Sequence, residues 1–192
     1  MTTAPSPGAA PGSVPAAPAP TRLTVLQGQA RVSAGPRVEL STVLGSCVST
    51  CLFDPEEQVG GMNHFLLAEP PPGSDAHTID EHYGIYLMEL LINEMLANGA
   101  NKARLRAHLY GGANLYPGMA AIGSANAAFA RAFLLRERIT LVREDMGGNS
   151  ARRVDFRPAT GMVRCRSVAN TFAPDERPTR RPTGGLGEVE LF

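Results

Sequence analysis

The hydrophobic and polar positions follow two different periods between about residue 23 and residue 168, with turn residues between the patterned segments. Short apolar or alternating runs bounded by Gly, Pro or Asp predict β-strands. Two longer segments repeat apolar residues at intervals of three and four positions and predict α-helices. The predicted strands occupy residues 23–26, 38–43, 47–53, 59–67, 104–110, 139–142, 152–157 and 162–168. Hairpins mixed with crossover connections predict a mixed α and β fold.

Each predicted helix carries an apolar stripe that would face a core. The stripe of the first helix consists of Met88, Leu91, Ile92, Met95 and Leu96. Gly99 follows at the position of a C-terminal cap, which predicts the end of this helix. The second helix is predicted over residues 124–138, and its apolar face consists of Phe129, Ala130, Phe133 and Leu134.

The two ends of the chain differ in composition from the patterned part. Residues 1–21 are rich in Ala and Pro and hold no aromatic residue, so we expect a disordered tail. Residues 22–170 are predicted to form one folded domain, and residues 171–192 a flexible C-terminal tail. That tail ends in 189–192 (VELF), which is either a short docking motif or a passive terminus. Residues 68–84, which begin near a run of prolines, predict a long exposed loop.

The charge balance and the cysteine content narrow the class of protein. Lys and Arg number 18 and Asp and Glu number 18, so no global charge favours a nucleic acid or an anionic membrane surface as a partner. No apolar run approaches the length that spans a bilayer, and the N-terminus lacks the pattern of a signal peptide. Three cysteines without framework spacing favour a reducing compartment. We therefore expect a cytoplasmic domain that acts on a protein or a small molecule.

The candidate chemistry centres on Cys47 and His64. Cys47 follows a turn of small residues, and His64 lies 64 − 47 = 17 residues later in the next apolar run, so paired strands would bring them together. A thiol beside an imidazole is the minimum equipment of a cysteine nucleophile. Gly45 and Ser46 would leave backbone N–H groups near a developing oxyanion. The alternatives are a small buried cysteine and a structural histidine.

A third group is expected to orient the imidazole, as in other catalytic triads. The hydroxyls of Ser41 and Thr42 are close enough in sequence, and spacing alone does not choose between them. Cys51 and Cys165 are expected in the core. His77 and His82 fit no metal-ligand spacing, and we expect a solvated loop there. The glycine pairs at 111–112 and 147–148 (GG in each case) lack a full phosphate-binding motif and predict tight loops at strand ends.

Several motifs together resemble the chemoreceptor glutamine deamidase family CheD. They are 44–48 (LGSCV), 61–67 (GMNHFLL), 83–84 (YG), 88–93 (MELLIN), 110–114 (YGGAN), 122–123 (IG), 126–127 (NA), 144–148 (EDMGG) and the hairpin turn at 160–161 (TG). The resemblance runs in unbroken order from about residue 23 to residue 168. The Pro-rich N-terminus lies outside it.

The resemblance implies a layered α/β sandwich similar to toxin deamidases of the cytotoxic necrotizing factor type. It implies hydrolysis of receptor glutamines to glutamates with release of ammonia, and neither a metal nor an organic cofactor. The family's nucleophile falls on Cys47 and its histidine on His64. Its third residue is a threonine six positions before the cysteine. Here Ser41 stands at that position with Thr42 beside it, so Ser41 is the expected third residue and Thr42 the alternative.

The same resemblance implies the partners. We expect the cytoplasmic helices of methyl-accepting chemoreceptors as substrate, an open groove as the site, and the segment 68–84 as part of its rim. Docking of the phosphatase CheC or of a response regulator is a further implied interaction. Two other functions compete with the enzyme: a non-catalytic chemotaxis adaptor, which an intact Cys47 and His64 disfavour, and a zinc-dependent hydrolase, which the lack of a ligand motif disfavours.

Overall fold

The computed structural model describes residues 19–67, 81–115 and 120–168. Nine strands and two α-helices are present in this part of the chain. The first five strands are β1 (Thr21–Thr24), β2 (Gln29–Ser33), β3 (Val38–Leu44), β4 (Val48–Asp54) and β5 (Val59–His64). The remaining elements are α1 (Glu81–Ala97), β6 (Arg106–Gly111), α2 (Ala120–Arg136), β7 (Thr140–Met146), β8 (Ala151–Arg157) and β9 (Met162–Val168).

The strands form two mixed sheets. The four-stranded sheet has the order β1-β3-β8-β9, and the five-stranded sheet has the order β2-β5-β4-β6-β7. The pairs β1/β3 and β6/β7 are parallel, and the other neighbouring pairs are antiparallel. The predicted mixed α and β class with hairpins and crossovers is confirmed.

The five-stranded sheet is the middle of three layers. Helices α1 and α2 pack on one of its faces, and the four-stranded sheet covers the other. Strand β4 is buried at all seven positions: Val48 and Leu52 face the helices, whereas Cys51 and Phe53 face the four-stranded sheet. Side chains alternate between the faces of a strand, so a central strand covered on both faces has no solvent-exposed face.

The outer helices follow from their sequence pattern. In α1, Leu87, Met88, Leu91 and Met95 are all at most 1% exposed and belong to the helix-side core. Gly99, with φ of +95°, lies just beyond the end of α1, where only glycine adopts such a conformation without strain. Neither described helix is long and apolar enough to cross a membrane.

The corner after β4 is fixed by one buried carboxylate. Asp54 accepts hydrogen bonds from the backbone N–H groups of Glu56 and Asn101 and from the guanidinium of Arg104. Burial by itself raises the pKa of Asp54, but these donors outweigh burial and lower the pKa to about 2. This corner lies at the opposite end of β4 from Cys47.

The structure corrects several predicted boundaries. Strand β2 is absent from the predicted strands, because its short edge sequence, 29–33 (QARVS), has only one β-branched residue, Val32. Helix α1 begins at Glu81, so residues 81–84 of the predicted loop 68–84 are helical. Strand β7 continues through Arg143 to Met146, because an exposed edge strand accepts charged residues. Helix α2 runs over Ala120–Arg136 rather than 124–138.

Candidate active site

Strand pairing brings Cys47 and His64 to the same face of the five-stranded sheet. An isolated antiparallel bridge joins Val48 and Phe65 through two backbone hydrogen bonds of 2.9 Å. The β4/β5 register that continues from this bridge sets Ser49 across from His64. Cys47, two residues before Ser49, is therefore a diagonal neighbour of His64. Such neighbours lie about 7–8 Å apart, within reach of long side chains.

The hydrogen bonds around His64 fix which ring nitrogen carries the proton. Nδ1 of His64 lies 2.8 Å from Oγ1 of Thr42 and 3.4 Å from the carbonyl oxygen of Val25. The Thr42 hydroxyl donates its single proton to that same carbonyl at 2.8 Å. Because Val25 O and the occupied Thr42 hydroxyl can only accept, Nδ1 is the protonated nitrogen. Nε2 of His64 therefore holds a lone pair.

The unprotonated Nε2 of His64 is able to accept a proton. Nε2 is buried and has no hydrogen-bond partner among the described residues. Burial lowers the pKa of His64 from its ordinary value, and the carbonyl of Val25 opposes this only in part. The imidazole is neutral at pH 7, which is the form that accepts a proton.

The turn before Cys47 is held in place by hydrogen bonds that its carbonyl groups accept. The carbonyl of Gly45 accepts the N–H of Ala113, and the carbonyl of Cys47 accepts the N–H of Gly112, both at 2.8 Å. Gly111 must be glycine, since its φ is +111° and a Cβ there would lie 2.1 Å from the Cys47 carbonyl oxygen. The glycines at 111–112 and 147–148 all have positive φ and lie at the ends of β6 and β7, where tight loops were predicted.

Asn126 of α2 ties the cysteine turn to the segment that follows His64. Its Nδ2 donates to the carbonyl of Ser46 at 2.8 Å, and its Oδ1 accepts the N–H of Leu67 at 2.9 Å. Asn126 is fully buried. The sequence placed Asn126 in the 126–127 motif but assigned it no role. The sequence feature that indicates a role is an amide side chain on the same helical face as Phe129 and Phe133, because a buried polar group requires hydrogen-bond partners.

Cys47 itself is half-buried, and its surroundings favour the neutral thiol. Burial raises the pKa of Cys47 to about 11, and its own backbone N–H opposes this shift. The thiol donates to Oε1 of Gln27 at 3.5 Å. Within the described ranges, the N–H groups of Ser46 and Cys47 donate to no backbone carbonyl. The resting site thus combines a protonated thiol, a neutral imidazole and two backbone donors that no carbonyl occupies.

The structure separates the two candidate hydroxyls of β3. Thr42 faces the layer between the sheets and contacts His64, whereas Ser41 points to the other face and donates to Oδ1 of Asp155 at 2.8 Å. Ser41, the expected third residue, therefore does not contact His64. Successive strand residues face opposite sides, so only one of the two hydroxyls reaches the imidazole.

Ser41 belongs instead to a charged cluster around Asp155. The Asp155 side chain is fully buried, with Arg166 at 2.9 Å and Arg164 at 3.3 Å. Burial alone raises the pKa of Asp155, but the hydrogen bond from Ser41 and the charges of the arginines, Arg22 among them, lower it. The carboxylate is thus compensated without any contact with the imidazole.

The other candidates lie apart from this site or outside the described residues. Cys51 is fully buried, as predicted, whereas Cys165 is only half-buried and contacts Asp145. His77 lies outside the described residues, as does the side chain of His82. In the described part of the chain, no cluster of three or more metal-binding side chains occurs. Residues 68–80, most of the proposed rim, and the 189–192 motif also lie outside it.

A family model and two curated relatives identify the same protein family. The model of the family described as CheD chemotactic sensory transduction matches residues 66–167, which is 167 − 66 + 1 = 102 of the 192 residues. A protein of Zymomonas mobilis named probable chemoreceptor glutamine deamidase CheD is 53% identical over 160 residues, 83% of this chain and 85% of that protein. A Caulobacter vibrioides protein of the same name is 47% identical over 176 residues, covering 89% and 93% of the two chains.

The alignment with the Zymomonas protein includes the site. With 160 aligned residues, only 192 − 160 = 32 residues of this chain remain outside, so both Cys47 and His64 lie within the aligned stretch. A solved Neisseria meningitidis protein of family DUF152 is similar over 69% of this chain and 65% of its own length. Its identity is 11% and its TM-score 0.45, too weak a likeness to bear on the fold.

Proposed function

Because the chain belongs to the CheD family, we propose that it is a chemoreceptor glutamine deamidase with Cys47 as its nucleophile. The reaction hydrolyses the side-chain amide of selected receptor glutamines to glutamate and ammonia. The observation that carries the proposal is the placement of Cys47, just before β4, and of an unprotonated Nε2 of His64, at the end of β5, on one face of the five-stranded sheet. No metal or organic cofactor takes part in the proposed reaction.

The first step is proton transfer from the thiol. Cys47 rests as a thiol, since burial raises its pKa to about 11, so the thiolate must form as the substrate binds. Nε2 of His64 takes the proton, because its Nδ1 already donates to Thr42. The thiolate then attacks the carboxamide carbon of the receptor glutamine and forms a tetrahedral intermediate.

The oxyanion of that intermediate requires donors that already point at it. The N–H groups of Ser46 and Cys47 are assigned this role, because the carbonyls of Gly45, Ser46 and Cys47 are all held by other partners. Removal of one preorganised oxyanion-hole donor costs about 2.7–4 kcal/mol of transition-state stabilisation in other enzymes.

The imidazolium then supplies the proton that the leaving group needs. His64 protonates the departing amine, ammonia leaves, and a thioester joins Cys47 to the receptor side chain. Neutral His64 next activates a water molecule that hydrolyses the thioester. The products are the free thiol and a receptor glutamate.

Thr42 is the proposed third residue, in place of Ser41. Its hydroxyl accepts from Nδ1 of His64 and is itself fixed by donation to Val25. This chain of two bonds holds the ring and its tautomer without a carboxylate. Ser41 is assigned a structural role through Asp155.

Ammonia release tests the proposed reaction. The protein is incubated with a cognate receptor cytoplasmic fragment, and ammonia is quantified for the wild type, Cys47→Ser and His64→Gln. We expect release only with the wild type. A Glu-for-Gln receptor fragment is the matched negative substrate. Absence of ammonia with every cognate receptor, from a protein with an intact unfolding transition, would favour the non-catalytic adaptor instead.

A further inference from the structure

The chain places one of its own glutamines on the proposed nucleophile. It has three glutamines, Gln27, Gln29 and Gln58. Oε1 of Gln27 lies 3.5 Å from Sγ of Cys47 and accepts the thiol proton. A C=O bond is about 1.23 Å long, so the carboxamide carbon lies within roughly 4.7 Å of the sulfur. The group that meets Cys47 is therefore a side-chain carboxamide, the same group that a substrate glutamine presents.

The turn that carries Gln27 is fixed to the site from both sides. The N–H of Gln29 donates to the carbonyl of Leu26 at 3.0 Å, and the N–H of Gly28 donates to the carbonyl of His64 at 2.8 Å. Gly28 has φ of +82°, which suits the third position of such a turn. On the other side, the carbonyl of Val25 accepts the hydroxyl of Thr42.

The side of the turn that faces away from the site is also held by contacts. The side-chain Oε1 of Gln29 accepts the N–H of Leu26 at 3.1 Å. A Cβ at Gly28 would lie 2.4 Å from the hydroxyl oxygen of Tyr83, so helix α1 packs directly on the turn. The backbone at Gln27 is thus held in place, while its side chain is exposed.

We propose that Gln27 is an internal pseudosubstrate whose carboxamide occupies the position that the receptor glutamine takes during the reaction. This inference rests on the proposed function and extends it to a residue that competes with the substrate. With Gln27 in place, the thiol proton points to Oε1 while Nε2 of His64 has no partner among the described residues. Entry of a receptor glutamine displaces the Gln27 side chain and turns the thiol toward His64.

The proposal predicts faster thiol chemistry when the carboxamide is removed. A neutral hydrogen bond contributes a factor of roughly threefold to tenfold to such an equilibrium. We expect Gln27→Ala to raise the rate of Cys47 alkylation by iodoacetamide about threefold to tenfold at fixed pH. We expect its KM for the receptor fragment to fall by a similar factor. Gln27→Glu should slow alkylation, because a carboxylate beside the sulfur disfavours the thiolate.

The control is Gln58→Ala, which removes the same side chain from the turn at the far end of β4 and β5. Alkylation needs no receptor, so it decides the inference even if deamidation is never seen. Gln27→Ala and Gln58→Ala with equal, wild-type alkylation rates would overturn the pseudosubstrate. If the wild type also converts receptor glutamine in that case, the proposed function stands and only the role of Gln27 is rejected.

Discussion

The assignment of Thr42 over Ser41 is open to a paired substitution on one strand. Thr42→Val keeps the shape of the side chain and removes the hydroxyl that lies between His64 and Val25. Ser41→Ala, one residue earlier, removes the hydroxyl that donates to Asp155. The two variants differ in which face of β3 loses its hydroxyl, so each is the control for the other.

The size of the effect follows from the bonds that are lost. In Thr42→Val, Nδ1 of His64 keeps only the Val25 carbonyl at 3.4 Å, a weak partner for a buried donor. Leaving such a donor unsatisfied costs about 1–3 kcal/mol. If the same energy orients the ring in the transition state, kcat/KM falls between about fivefold and 150-fold. Ser41→Ala loses one bond from a carboxylate that keeps Arg164 and Arg166, so we expect kcat/KM within about twofold of the wild type.

The assay is the rate of receptor glutamine conversion as a function of pH, beside urea unfolding of each variant. Loss of an acceptor at Nδ1 lowers the pKa of His64 further, so the acidic limb of the Thr42→Val profile should move to lower pH. A purely structural role for Thr42 would leave that limb in place. Loss of activity in Ser41→Ala at wild-type stability, with an active Thr42→Val, would refute the assignment.

Three further predictions concern stability and positioning. Burial lowers the pKa of both His64 and His108 in the folded protein. Below about pH 6.5, the ordinary pKa of histidine, the unfolded chain therefore binds more protons than the folded protein. The free energy of unfolding, measured in urea, should therefore be constant above about pH 6.5 and fall as the pH drops below that value. His108→Gln should weaken this pH dependence. A free energy of unfolding that does not change with pH in the wild type would contradict the prediction. Asn126→Ala should lower the free energy of unfolding by about 2–4 kcal/mol and kcat/KM by more than about tenfold. The substitution leaves the N–H of Leu67 and the carbonyl of Ser46 without a hydrogen-bond partner. Wild-type kcat/KM in that variant would reject Asn126 as a positioning residue. Asp54→Asn should cost about 1.5–3 kcal/mol in stability and leave kcat/KM of the folded protein unchanged, since Asp54 lies at the far end of β4 from Cys47; a change in kcat/KM would argue against a purely structural corner.

The sequence pattern was sufficient for most elements of the fold because burial imposes it. The stripe from Met88 to Leu96 corresponds to α1, and the apolar run after Cys47 corresponds to the doubly buried β4. Strand β2 has neither pattern, since it lies at a sheet edge and is held by pairing with β5 rather than by its own composition. The division of the strands between two sheets also depends on long-range pairing, which no local pattern encodes.

The candidate site was predictable in its two principal residues and less so in the groups around them. Cys47 immediately precedes β4 and His64 ends the adjacent strand β5, so their spacing already indicated that they could meet. The choice between Ser41 and Thr42 depends on which face of β3 meets the five-stranded sheet, and a shift of one residue exchanges those faces. Asn126 and Gln27 reach the site from α2 and from the β1–β2 turn, at distances along the chain that spacing arguments do not connect.

The most direct test of the account is peptide mass spectrometry of a cognate chemoreceptor fragment after incubation with this protein and, in parallel, with Cys47→Ala. The account predicts conversion of specific receptor glutamines to glutamate by the wild type and none by the variant. Equal conversion by both proteins would contradict Cys47 as the nucleophile, and no conversion by a folded wild type would contradict the deamidase.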